Sequence, residues 1–361
     1  MSEDRVSLRQ LLTLTFAALL SPAIQILPGL TAQRAGTAGW LATLAALPLA
    51  AGLCWLLCWL CRGEPGEGGL PNVAERLLGT WLGRAVCLLY LIWGLYLLSA
   101  NARQVALRFL TISYRNSPML LFLLTLLGVT FWLVRKPVGA LARAGEVFFT
   151  ALAVGLILSL VLGAFQVDSA NLLPVWVEDL PAVGSATLPV LGLVGYVVFA
   201  ACLGAYVRPE ERARRRALRW GIGLCLALTA LQVVCLGNFG PGLAVRMDTP
   251  FFMMVKGIGF EGTFQRVESV IIALWVLADL ALLALLACAC SVLAQKTFAL
   301  RRRRTAVLPV VLAAAAGAVW LFPNAFALDQ ALEGLVLWGG LLLGFGLPAL
   351  LAVVKVLRRI P

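Results

Sequence analysis

Asp279 stands near the middle of an apolar stretch spanning 263–294. A carboxylate in such surroundings is costly and is a functional candidate by default. It reads either as a proton-titrating group in a polar network or as the packed partner of a hydroxyl or amide on a neighbouring helix. Glu146 lies one helical turn beyond Arg143, where a local i, i+3 ion pair is expected. Arg266 and Glu268 open the 263–294 stretch, and Arg103 and Arg108 lie near the end of another, where they are expected to snorkel to the interface. Cys54, Cys58 and Cys61 share one helical face, but a metal site there lacks a fourth ligand and the chain has no His. Cysteine as a small apolar packing residue is the expected role. With no nucleophile–base pairing and no complete ligand cluster, the chain is not expected to be an enzyme, and no metal or cofactor is predicted.

These groups are carried by a chain of 361 residues that is 61% hydrophobic and 13% charged. Its apolar stretches cover roughly 8–31, 37–61, 79–110, 117–135, 142–165, 184–207, 217–238, 263–294, 306–322 and 332–356. Each is close to or above the about 20 residues that cross a bilayer as a helix. Helices are the natural solution because lipid offers backbone N–H and C=O groups no partners. The expectation is an all-α integral membrane protein of ten transmembrane helices, one polytopic domain over 1–361 with no room for a separate soluble domain.

The cations orient it. All of the 29 Lys and Arg residues except Arg34, Arg103, Arg108, Arg115, Arg246, Lys256 and Arg266 fall in the two tails and in every second gap between spans. Cation excess marks the cytoplasmic side, so both termini are expected inside. The net charge of +12 is then topological rather than a nucleic-acid footprint. Arg301–Arg304, a run beside a helix end, is expected to touch anionic lipid heads as well. The first apolar stretch is of span length without a convincing cleavage site, so it reads as a retained helix.

Two spans carry breakers. Ser21-Pro22-Ala23-Ile24-Gln25-Ile26-Leu27-Pro28-Gly29 interrupts the first, and Pro189, Gly192 and Gly195 interrupt the sixth. Helices one and six are therefore predicted to be discontinuous. Ten spans divide into two five-helix halves, 1–165 and 184–356, and an odd number per half inverts the second. Equivalent broken helices in inverted halves point to a ligand site near the midplane. Half-helix ends offer both N–H and C=O groups, which suits a zwitterionic amino acid. The residues predicted to line that site are Ser21, Ala23, Ile24, Gln25, Gly29, Gly192, Gly195 and Tyr196. A weak echo of the repeat exists, with Arg84 and Trp93 spaced as Arg266 and Trp275 are. The long gap 237–262, with Pro241, Pro250 and Phe251–Met254, reads as a lid over the site or as an interfacial anchor.

Val6-Ser7-Leu8-Arg9-Gln10-Leu11 running into Pro28-Gly29, Glu75-Arg76-Leu77-Leu78-Gly79, Asn171-Leu172-Leu173-Pro174, Leu188-Pro189-Val190-Leu191, Arg266-Val267-Glu268 with Trp275, and Leu321-Phe322-Pro323-Asn324 occur in order along the chain. The ordered set resembles the B-subunit family of spore germination receptors, within the amino acid–polyamine–organocation superfamily. The resemblance implies a ten-helix LeuT-like fold and nutrient sensing, usually of amino acids, at the spore inner membrane. It also implies a larger membrane A-subunit and a lipoprotein C-subunit as partners. By the same resemblance span three flanks the central site, so Trp93 and Tyr96 become lining candidates, although Tyr90, Trp93, Tyr96 and Ser99 also make an ordinary packing stripe. The recurring Arg-x-Glu pair, Arg266 and Glu268, is implied as a gate or subunit contact, while Asp279 and Glu146, read from their own place in the spans, are the candidate coupling or gating groups. Where the family often has an acidic residue after the glycine of span six, this chain has Tyr196. The alternative is a proton-coupled amino acid transporter. Resemblance to sodium-coupled members of the LeuT-like fold implies paired hydroxyls on span eight for a sodium site, and span eight has no Ser or Thr between Ile271 and Cys290, which disfavours sodium coupling.

Overall fold

The computed structural model describes residues 5–63, 66–112, 118–247, 249–257 and 267–358, excepting the side chains of 111, 112 and 267–272. Among them, α1 (Leu8–Ala35) turns through a short 3-10 segment, Gly36–Trp40, into α2 (Leu41–Leu60). The amphipathic α3 (Leu70–Leu78) leads into the long α4 (Thr80–Ile112). Then come α5 (Met119–Arg135), α6 (Val138–Ala164), α7 (Leu180–Val194), α8 (Val197–Cys202) and α9 (Ala213–Ala244). The short α10 (Pro250–Gly257) precedes α11 (Val267–Thr297) and α12 (Arg303–Trp320). The last crossing is assembled from α13 (Ala325–Ala331), α14 (Leu337–Leu341) and α15 (Leu347–Leu357), linked by π-turns at Leu332–Val336 and Leu342–Gly346. Eight stretches among the described residues are long and apolar enough to cross a membrane; the first, Leu8–Leu60, contains both α1 and α2, and Met119–Arg135 is a shorter apolar helix.

α1 is the hub. It packs on α6, α7, α9 and α11, while α2 packs on α7 and α9, and α4 on α11 and α12. The second half of α11, from Ala281 to Ala294, is buried on every side. It is made of Ala, Leu, Cys, Val and a single Ser, which allow close packing all round.

Both chain ends meet one face of the bundle, here the termini face. Val6 donates its N–H to the Tyr206 carbonyl at 2.9 Å and accepts from the Arg208 N–H at 2.9 Å. Lys355 near the other end lies 4.9 Å over the ring of Trp59. At this face α3 lies flat against the start of α4. Gly79 (φ 86°) makes the corner between them, and a Cβ at Gly83 would stand 2.5 Å from the Glu75 Cα. That close approach and that left-handed turn both require glycine.

One expectation is corrected here. Helix one is not divided: α1 is helical from Leu8 to Ala35 with Pro22 and Pro28 inside it. Proline keeps a helix-compatible φ and deletes only one donor. The carbonyls of Ala18 and Ile24, four residues earlier, lose their helical N–H partners while the backbone continues. Helix six is interrupted as predicted, between α7 and α8 at Gly195-Tyr196.

Candidate functional site

The acidic residue of span eight is held from two directions. Asp279 is fully buried. Its Oδ1 accepts from the Ser21 hydroxyl of α1 at 2.5 Å, and its Oδ2 is paired with the Arg108 guanidinium of α4. Three helices are thus tied at one point in a low-dielectric interior. A buried pair of this kind stands only when its remaining hydrogen-bonding capacity is met, and removing one member leaves an uncompensated charge. Arg108 was expected to snorkel to the interface; instead it turns inward, because a buried carboxylate stabilises its charge better than a distant surface. The signal in the sequence was one acidic residue in mid-span and one arginine inside the end of another span, each needing a partner.

Next to this anchor, α1 offers groups without protein partners. Gln25 lies one turn beyond Ser21 and is 6% exposed, and its Nε2 finds no partner among the described residues. The same holds for the indole Nε1 of Trp275, one turn before Asp279 on α11; the Nε1 of Trp93 on α4 is unmatched too, but it sits against Gly339 of α14, about 22 Å along α4 from Arg108. An unmet buried donor costs about 1–3 kcal/mol. These three are all N–H donors, so what they lack is an acceptor. Phe251 and Phe252 of α10 close over Trp275, with ring centroids 5.1 Å away in each case. The loop expected to be a lid or an anchor therefore turns its aromatic pair inward. A cavity of about 20 Å³ remains beneath it, bounded by Leu20, Ile24, Ser159 and Trp275.

The break in helix six has a different setting. The N–H groups of Tyr196, Val198 and Phe199 bond three residues back, to Leu193, Gly195 and Tyr196. This 3-10 tightening withdraws helical donors from the carbonyls of Gly192 and Val194. The glycines do not open onto the α1 side. A Cβ on Gly195 would come 2.3 Å from the Gly340 carbonyl, and one on Gly340 2.2 Å from the Gly192 carbonyl. Gly192 and Gly195 serve a backbone-to-backbone contact with α14, as small residues do between membrane helices. Tyr196 is buried and edge-on to Trp93 at 6.4 Å.

The other predicted residues separate. Ala23 and Ile24 are buried in the core beside Ser21. Gly29 faces the end of α9, 3.7 Å from a would-be Cβ to the Ala244 carbonyl. Tyr96 packs edge-on against Phe322 at 5.3 Å, and Arg103 donates to the Pro323 carbonyl at 2.9 Å. That side of α4 therefore faces the end of α12. Arg266 and the side chain of Glu268 lie outside the described residues.

At the termini face the sequence motifs become latches. Ser7 and Gln10 cap α1 reciprocally, Gln10 N–H to Ser7 Oγ at 3.2 Å and Ser7 N–H to Gln10 Oε1 at 3.0 Å, a capping box. Gln10 Nε2 and Arg9 Nη2 then reach Glu146 of α6 at 3.0 and 2.8 Å. Glu146 is therefore a cross-helix partner of α1 rather than of Arg143, because α1 brings two donors to it. Glu75 binds Lys296 at 3.3 Å and Arg84 at 3.7 Å. Of the run Arg301–Arg304, Arg303 is buried and donates to the Val134 and Lys136 carbonyls at 2.9 and 2.8 Å. It caps the C-terminal end of α5, where a cation is favoured, instead of meeting lipid. No cluster of residues able to hold a metal occurs among the described residues, and Cys54, Cys58 and Cys61 are free thiols.

Comparison with solved structures gives the fold. MhsT in complex with L-phenylalanine superposes with a TM-score of 0.66 over 98% of this chain and 92% of its own, at 17% identity. A substrate-bound, outward-open Na+-coupled sialic acid symporter gives 0.65 over 95% and 79%, at 10% identity. The fold is LeuT-like and all-α, as the sequence implied. In sequence, the chain is 26% identical over 280 residues to spore germination protein KB of Bacillus subtilis, covering 74% of this chain and 72% of that protein. The family and the structural neighbours are non-enzymatic. The profile described as "Spore germination protein" matches residues 5–324, from the strand-like start of the chain to the Asn324 cap of α13. The chain belongs to that spore germination protein family.

Proposed function

We propose that this protein is the membrane subunit of a nutrient germinant receptor, and that it holds a small solute, an amino acid, between α1 and the α7–α8 break. One observation carries the reading: the Gln25 amide, buried one turn beyond the Ser21–Asp279 anchor, has an Nε2 with no partner among the described residues. The Trp275 indole adds a donor that suits a carboxylate, and the carbonyls released by Pro22 and Pro28 suit an ammonium group. Arg108 already supplies a positive charge to Asp279, so that carboxylate needs no coupling ion, which favours sensing over sodium-driven transport. Both termini then lie in the cytoplasm of the spore core, the bundle makes ten crossings in two inverted halves of the spore inner membrane, and larger membrane and lipoprotein subunits complete the receptor.

A thermal-shift screen of single L-amino acids on the purified protein tests this. At least one is expected to raise the melting temperature, and Gln25→Leu or a bulky Tyr196→Trp is expected to abolish that rise. A rise undiminished in both variants removes the midplane site. The neighbours that are working symporters support a second reading, a proton-coupled amino acid transporter. Robust proton-driven uptake into proteoliposomes by this chain alone would establish that reading instead.

A further inference from the structure

A second cavity, of about 300 Å³, opens at the termini face between the first turns of α1, the end of α2, α8 and the start of α9. It is separate from the site proposed above. Leu12, its deepest residue on α1, is nine residues from Ser21, about 13 Å along a helix. Its volume is in the range of small-ligand sites. The walls are apolar: Leu8, Leu11, Leu57, Val197 and Ala200, with the thiols of Cys54, Cys58 and Cys61 along one side. The charged residues are confined to its mouth, where Arg62, Arg208 and Arg214 meet Glu210 and Glu211. Glu210 is engaged by Arg216 at 2.5 Å, so the mouth presents three guanidinium groups against the one carboxylate of Glu211. Arg214 is steadied over the Trp55 ring at 6.0 Å.

An apolar chamber with a cationic mouth is complementary to one kind of molecule. We infer that this cavity binds an amphipathic anion, its apolar chain among the leucines and cysteines and its carboxylate or phosphate head at Arg62, Arg208 and Arg214. Bidentate guanidinium contacts suit either head group. The occupant touches the N-terminal turns of α1 and also α8, the segments flanking the proposed solute site. Its binding therefore stabilises the arrangement in which Val6 is paired to the segment around Val207. The molecule comes either from the bilayer as an anionic lipid or from solution as an amphipathic acid.

Photo-crosslinking of the full-length chain in nanodiscs with a diazirine-bearing decanoic acid, mapped on peptides, tests this. Adducts are expected in 8–12 and 54–62, with decanoate competing at least about tenfold better than decanol. The charge reversals Arg62→Glu and Arg208→Glu, at exposed positions and judged by an unchanged melting temperature, are expected to remove that preference. Ala213→Trp, which fills the mouth, is expected to remove the adducts. Nanodiscs of phosphatidylcholine and of phosphatidylglycerol separate the sources: suppression of labelling by phosphatidylglycerol itself assigns a lipid occupant, and equal labelling in both assigns a soluble acid. Equal competition by decanol and decanoate, adducts spread over the lipid-facing helices, or charge reversals without effect would overturn the assignment. None of these readouts depends on an amino acid binding at Gln25.

Discussion

α1 and the α7–α8 pair carry similar interruptions in sequence and resolve them in opposite ways. α1 holds two prolines yet stays helical from end to end, whereas the sixth span parts at Gly195-Tyr196. The difference is chemical. A proline removes one hydrogen bond and stiffens φ, so a well-packed helix continues past it. Around Gly192 and Gly195 the sequence supplies no side-chain bulk, and the backbone is drawn against Gly340 and Gly344 of the last crossing. α1 is also pinned in mid-course by Ser21 on Asp279. Breakers at equivalent places are thus not equivalent devices; what each neighbour presents decides between a continuous and a parted helix.

Removing the tether should have the largest effect. Asp279→Ala leaves the Arg108 guanidinium buried without its carboxylate and is expected to cost about 3–5 kcal/mol, read as a lower melting temperature in detergent. Arg108→Met combined with Asp279→Leu should recover most of it. If the single substitution is neutral, the pair is not what holds α1, α4 and α11 together. Next comes the parted helix. Gly195→Val drives a side chain into the Gly340 carbonyl and is expected to cost about 1–3 kcal/mol through overpacking, again by thermal unfolding. The proline pair is the contrasting case. Pro22→Ala with Pro28→Ala returns N–H donors to the Ala18 and Ile24 carbonyls, so stability should change by no more than about 1 kcal/mol, while amino-acid-dependent stabilisation falls. Retained stabilisation would show that only the α7–α8 break serves the solute. The smallest effect belongs to the surface latch. Glu146→Gln removes its ion pair with Arg9, which is 74% exposed, and an exposed pair of this kind contributes about 0–1 kcal/mol. A larger fall on unfolding would mean that the hydrogen bond from Gln10 governs the closure of α1 on α6.

The groups that matter most were visible as types but not as partners. Asp279 stood out because a lone carboxylate in an apolar span needs an explanation, yet Arg108 lay 171 positions away and read equally well as an interfacial cation. Local spacing, which is all a sequence offers, pairs Glu146 with Arg143; in the folded chain Arg9 and Gln10 of α1 reach it instead. Arg303 could not be told from Arg301, Arg302 and Arg304 until α5 placed two terminal carbonyls within its reach. Gly192 and Gly195 were legible as a break, but the face they present to Gly340 depends on which helix packs there.

Composition and periodicity determined by themselves that this chain is a bundle of membrane helices, because apolar runs of span length have no other way to satisfy their backbone in lipid. The order of its motifs pointed to the family for the same reason: both are properties of neighbours in sequence. Which charges meet, whether a proline-bearing helix parts, and where cavities remain were decided only by the tertiary structure. Those outcomes turn on distances between residues far apart in the chain, and in a low-dielectric interior a partner within hydrogen-bonding reach outweighs any local preference.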